Sequence, residues 1–242
     1  MRCLVIAATL AVAGCLGGAR TARAQEGAES ASPVVAIIDF TNSSLVEHAL
    51  YEPFRVGIAG MLITELARRP GLTVVERERL RAVLDELDLG GSDRLDPEQA
   101  ARAGRILGAR YIISGVFFID RKNQLRIDAR AVSVETSQVV HVETVTDEAD
   151  ELLRSVSRLG SQLSEQLDLP AAPDRDDVRS PDAPPGQTQI NLKYARAMLE
   201  EDRGDAERAL ALYREFLADL PTGYAPELRR SVEARVRALR AP

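Results

Sequence analysis

Cysteine is nearly absent: the 242-residue chain has two, Cys3 and Cys15, both close to its start. Anything that folds beyond them has no disulfide and must rely on a packed core. Tryptophan is missing, and aromatic residues make up 4% of the chain. An outer-membrane barrel wants aromatic girdles at both interfaces, so that class is disfavoured. Basic charge is short too, with 31 Lys and Arg against 37 Asp and Glu and a formal net charge of −6. Phosphate neutralisation supplies most nucleic-acid affinity, so nucleic acid is not an expected partner. The two histidines, His48 and His141, sit in no metal-ligand spacing, and no G-x-S-x-G elbow occurs. Gly57-Ile58-Ala59-Gly60 lies inside a helical pattern and lacks the lysine of a phosphate loop. No catalytic, metal or cofactor residue is therefore named, no cofactor is expected, and the chain is read as a non-enzyme. The alternative is an enzyme with a carboxylate site that the sequence does not signal.

The start of the chain is apolar. Arg2 precedes an uncharged run from Cys3 to Leu16, broken by Gly17, Gly18 and Arg20. That run is short of the roughly 20 residues a membrane helix needs, and it reads as a secretory signal. Two processing readings stand side by side. Ala22-Arg23-Ala24 before Gln25 has the A-x-A form of an ordinary cleavage site, giving a signal at 1–24. Val12-Ala13-Gly14-Cys15 resembles a bacterial lipobox, giving a signal at 1–14 and a lipid on Cys15. Either one sends the chain out of the cytoplasm to the periplasm, with outer-membrane anchoring in the second case.

Residues 25–33 are a small polar leader. From 34 to 168 the pattern alternates between strand and helix. Val34 to Phe40 is a buried strand, and Thr41 to Arg55 a polar loop. Val56 to Arg69 is a helix facing inward with Ala59, Leu62, Ile63 and Leu66. Leu72 to Val75 is a second strand, followed by a helix over Glu76 to Leu87. Asp96-Pro97-Glu98-Gln99 has the form of a capping box with proline at the first helical position, and Leu107-Gly108 ends that helix. Tyr111 to Ile119, Leu125 to Val134 and Val139 to Val145 read as an antiparallel meander joined by tight polar turns. Arg126, Asp128, Arg130, His141 and Glu143 are expected to point outward. Leu152, Val156, Leu159, Leu163 and Leu167 form one stripe of a helix over Asp147 to Leu167. Residues 169–189 are a Pro-rich linker, and 190–242 a small helical module. The fold class is α/β: a mixed five-stranded sheet with helices packed on it, plus a C-terminal helical hairpin.

Four stretches resemble the CsgG/HfaB family, the curli production assembly/transport components. They are Val35 to Phe40 (VAIIDF), Leu72 to Arg77 (LTVVER), Asp96 to Ala101 (DPEQAA) and Gly104 to Gly115 (GRILGARYIISG). A TolB-like N-terminal domain is similar in the same strands. The CsgG resemblance implies a ring-forming envelope core in which Glu76 and Arg77 pair with charges at a subunit contact; read from the residues alone, they are a solvated strand end. Channel members carry β-hairpins that close into a shared barrel. Here Asp120 to Gln124 and Glu135 to Gln138 leave no room for them. Tyr51 and Phe54 lie where the family's pore loop would be, and they read as loop anchors.

Gly204-Asp205, Ala209, Tyr213 and Pro221 resemble one tetratricopeptide repeat. That resemblance implies a groove for a partner helix or peptide, faced by Tyr194, Met198 and Tyr213. The expected function is a non-catalytic assembly or scaffold protein in envelope or curli-like fibre secretion. Its expected partners are envelope proteins, secretion components and a homo-oligomeric ring of itself; the alternative is a TolB-like periplasmic binding or scaffold domain unrelated to curli.

Overall fold

The computed structural model describes residues 32–89, 95–173 and 183–240. Cys15, Ala24 and Gln25, the processing candidates, lie outside the described residues. In chain order the elements are β1 (Val34–Ile37), β2 (Thr41–Asn42), α1 (His48–Tyr51), α2 (Phe54–Leu66), β3 (Thr73–Val74), α3 (Arg77–Glu86) and α4 (Pro97–Leu107). Then come β4 (Tyr111–Ile119), β5 (Gln124–Ser133), β6 (Gln138–Glu148), a 3-10 turn at Ala149–Glu151, α5 (Leu152–Gln166), α6 (Gln187–Asp202), α7 (Ala206–Asp219) and α8 (Pro226–Ala238).

The sheet is mixed, in the order β3-β1-β4-β5-β6, with the two-residue β2 also pairing β4. β1 pairs β3 and β4 in parallel, and β4-β5-β6 is the expected antiparallel meander. The sheet therefore has six strands; the extra one is a two-residue ladder that only the tertiary path of 41–44 creates. Ser44 Oγ accepts from the Ile119 N–H at 3.0 Å and holds that path down.

Side chains alternate across the sheet, so it is buried on two faces. Ala36, Ile112 and Val132 meet α3 and α4 in one cluster, with Leu80, Val83, Leu84, Ala103 and Leu107. Val35, Ile37, Ile113, Phe117 and Ile127 face the other way, onto α2 and α5. The stripe Leu152, Val156, Leu159, Leu163 and Leu167 is buried there as expected. The helix bearing it begins only at Leu152, because Asp147 and Glu148 extend β6.

Local signals set several ends. Asp96 accepts from the Gln99 N–H at 2.8 Å and Gln99 Oε1 accepts from the Asp96 N–H at 3.0 Å, completing the capping box of α4. Gly108 closes that helix at φ 68°, a left-handed conformation in which a side chain would be strained. Tyr51 stacks on Phe54, and Phe54 meets Phe117 edge-on, so both are anchors in the core.

The second cluster does not stop at the sheet. It continues through α2 into Leu192, Tyr194, Met198, Tyr213, Phe216, Leu228 and Val232 of the C-terminal helices. Residues 32–242 form one compact unit. The ends of the Pro-rich stretch are packed as well: Leu169, Gln187 and Thr188 are buried. Its middle, 174–182, lies outside the described residues.

Candidate interaction surfaces

Two places draw attention, one where a surface is covered by unusual means and one where a surface is left open. The first is α2. From Val56 to Ile63 it has no polar side chain, and it is buried almost all round. Such a helix needs cover on two sides. The sheet supplies one and α6 the other. Gly57 and Gly60 make the approach possible: a Cβ on Gly57 would stand 2.7 Å from the Ala195 Cβ, and one on Gly60 2.5 Å from the Met198 Sδ and 2.6 Å from the Tyr194 hydroxyl. These glycines let helix backbones close to a distance that any larger residue forbids.

Tyr194, Met198 and Tyr213 are brought together, as the groove reading required. They are not open to a partner, however. All three are buried, Tyr194 and Met198 directly against α2, with Tyr194 and Tyr213 ring centroids 6.3 Å apart. α2 of the same chain occupies the place the resemblance gave to a foreign helix. Burial pushes the phenols of Tyr194 and Tyr213 well above their ordinary range, so both stay neutral. Tyr213 donates to Glu201 Oε2 at 2.8 Å.

A charged network rims this junction. Arg77 is 5% exposed and bridges Asp39, at the end of β1, to Asp202, at the end of α6. Its Asp202 contact is 2.5 Å, and Arg81 holds the same carboxylate at 2.7 Å. Arg235 of α8 spans Glu201 at 2.7 Å and Glu78 at 2.5 Å. Burial alone would lower the Arg77 pKa, but Asp39 and Asp202 outweigh it and raise it. At Asp202 burial wins over both guanidiniums and the carboxyl is pushed up. The two directions disagree about how favourable the pair is. The geometry decides: a buried guanidinium needs both carboxylates, whereas Asp202 has two cations available. Arg77 is thus paired inside the chain rather than solvated, while Glu76 is exposed.

A second tie holds the entry to α6. Asp150 accepts from the Gly186 N–H at 3.1 Å and the Thr188 N–H at 2.8 Å, and also from the Thr188 hydroxyl. It caps a helix 36 residues away in sequence from its nearest donor. Burial would raise its pKa, and these donors together hold it below the usual carboxylate value.

The open surface is β6, the last strand of the sheet order. Val139, Val140 and Val142 are exposed, Val142 at 61%, and Ile106 on α4 is 49% exposed. His141 and Glu143 do not point outward with Arg126 and Asp128. They pair with Ala131 and Ala129, on the α5 face, half-buried and 3.1 Å apart. The cause is a bulge: Ala131 opposes His141 but Val132 opposes Val139, leaving Val140 as an extra residue. Arg126 and Asp128 stay outward and bind each other, while Arg130 turns to Ser114 Oγ and the Leu95 carbonyl.

A groove of about 350 Å³ at the start of β4 is lined by Arg105, Arg110, Tyr111, Ser133 and Glu135, among others. It holds one carboxylate, so it has no acid pair for general acid–base work. Among the described residues no cluster of three His, Cys, Asp or Glu could hold a metal, and no helix is long and apolar enough to cross a membrane.

Residues 19–118 match the family described as "Curli production assembly/transport component CsgG". No curated protein matches the chain. Among solved structures, the C-terminal domain of LpoB from Salmonella enterica aligns with TM-score 0.35 and 18% identity, over 49% of this chain and 84% of that one. TolB from Acinetobacter baumannii aligns with TM-score 0.40 and 14% identity, over 56% of this chain and 28% of that one. A PelC dodecamer from Paraburkholderia phytofirmans aligns with TM-score 0.34 and 13% identity, over 58% and 90%.

Proposed function

We propose that this chain, whose residues 19–118 match the CsgG family, is a non-catalytic scaffold of the bacterial envelope that works through protein contacts. One observation carries the reading. The meander β4-β5-β6 is closed by short turns, 120–123 and 134–137, where the family resemblance would place membrane hairpins in a channel. Asp120 Oδ1 accepts from the Lys122 and Gln124 N–H groups and locks the first turn. A core of this kind without hairpins assists assembly rather than conducting substrate.

The finer reading places the mature chain in the periplasm, processed after Ala24 or lipidated at Cys15. There it serves an envelope or curli-like fibre secretion system. Because α2 fills the helical module's inner side, the contacts with envelope proteins fall on other surfaces, of which β6 and the exposed part of α4 are the most apolar. The test is twofold. The purified mature chain should open no conductance in planar bilayers, and crosslinking in intact cells should capture envelope proteins. A stable conductance, or fractionation with the cytosol, would falsify the proposal.

A further inference from the structure

We propose that β6 is a pairing edge for a second copy of this chain, joined antiparallel about a two-fold axis through Val142. It goes beyond the envelope role and does not depend on it. An edge strand presents a row of unpaired backbone donors and acceptors, and proteins usually blunt it with lysine, proline or shortness. The opposite edge, β3, is two residues long. β6 is eleven residues long, and from Gln138 to Thr146 it has no lysine or proline and one acidic residue, Glu143.

The register follows from the side chains. Strands paired across a two-fold axis normal to the sheet keep the same face up, and each residue's partner is fixed by the residue on the axis. With Val142 on the axis, Val142 meets its own copy, and His141 of each chain opposes Glu143 of the other. Regular pairing stops at the bulge beside His141, and Asp147 and Glu148 fall beyond the paired stretch. Moving the axis to Glu143 sets two carboxylates opposite each other. Moving it to Thr144 places Val140 against Glu148 and draws the acidic end into the ladder. Only the Val142 register sets each imidazole opposite a carboxylate on one face while burying the most exposed valine on the other. On that outer face α4 packs against β6, so Val139 and Ile106 extend the apolar strip. The bulge at Val140 ends the regular ladder on each side, which makes a short, reversible contact.

The experiment uses a chain beginning at Gln25, which has no cysteine. Val142→Cys should give a disulfide-linked dimer under mild oxidation, since directly opposed residues lie about 4.5–5.5 Å apart at Cα, within disulfide reach. Thr144→Cys alone should not link, whereas a mixture of Val140→Cys and Thr144→Cys chains should. Sedimentation should show a monomer–dimer equilibrium, and Val142→Lys should raise its dissociation constant at least tenfold with an unchanged melting curve. A chain that stays monomeric at high micromolar concentration overturns the proposal. So does a dimer that Val142→Lys leaves intact, or linking at Thr144→Cys in place of Val142→Cys.

Discussion

Helix α2 and strand β6 are both apolar, and the chain treats them differently. α2 has the sheet beneath it and α6 above it, with Gly57 and Gly60 cleared for contact. β6 has β5 on one side, α5 over part of one face, and no further strand among the described residues along its outer edge. The helix is closed by the chain's own C-terminus; the strand is left for something else. The same tertiary step bears on both, because helices that could have offered a groove to a partner are already committed to α2, while the β6 valines stay exposed.

Removing the cover should break that contrast most severely. A chain ending at Leu167 exposes Val56, Gly60 and Met61 to water and leaves Arg77 without Asp202. We expect loss of a cooperative melting transition by calorimetry; a sharp transition would mean that α6–α8 are dispensable to the core. Arg77→Ala comes next. It leaves the partly exposed Asp39 without its guanidinium while Arg81 still holds Asp202, so the loss should fall below the about 3–5 kcal/mol of a fully buried pair and be readable as a shift in urea midpoint. Gly60→Val should cost about 1–3 kcal/mol by overpacking against Met198 and Tyr194.

Asp150→Ala tests the long-range cap and should cost about 1 kcal/mol near neutral pH. Because the Asp150 pKa is lowered on folding, its contribution is present above the unfolded carboxylate value and is lost as pH falls through the lower folded one. The stability gap between wild type and variant should therefore narrow below about pH 4. At the small end stands Val142→Lys, within about 0.5 kcal/mol on monomer stability because the side chain is exposed. A large loss of melting temperature there would show that β6 is not a free edge.

Much of this was legible from short-range patterns. The capping box at Asp96, the turn at Asp120, the stripe on α5 and the β4-β5-β6 meander each need only a few neighbouring residues to specify them. Periodicity missed the second face of α2, although its signal was present: eight consecutive residues without a polar side chain belong to a helix covered twice. The outward assignment of His141 and Glu143 failed at the bulge, because one extra residue reverses the alternation and a bulge leaves no mark in composition.

What the sequence by itself determined, then, was most of the elements, though not β2, α1 or the start of α5, because caps, turns and amphipathic periods are interactions within a few residues. Tertiary structure alone decided which apolar surface covers which. Arg77 finds Asp202 at a separation of 125 residues, and Asp150 finds Thr188 at 38. Such pairings depend on where the folded backbone brings two segments together, and no local pattern encodes that distance.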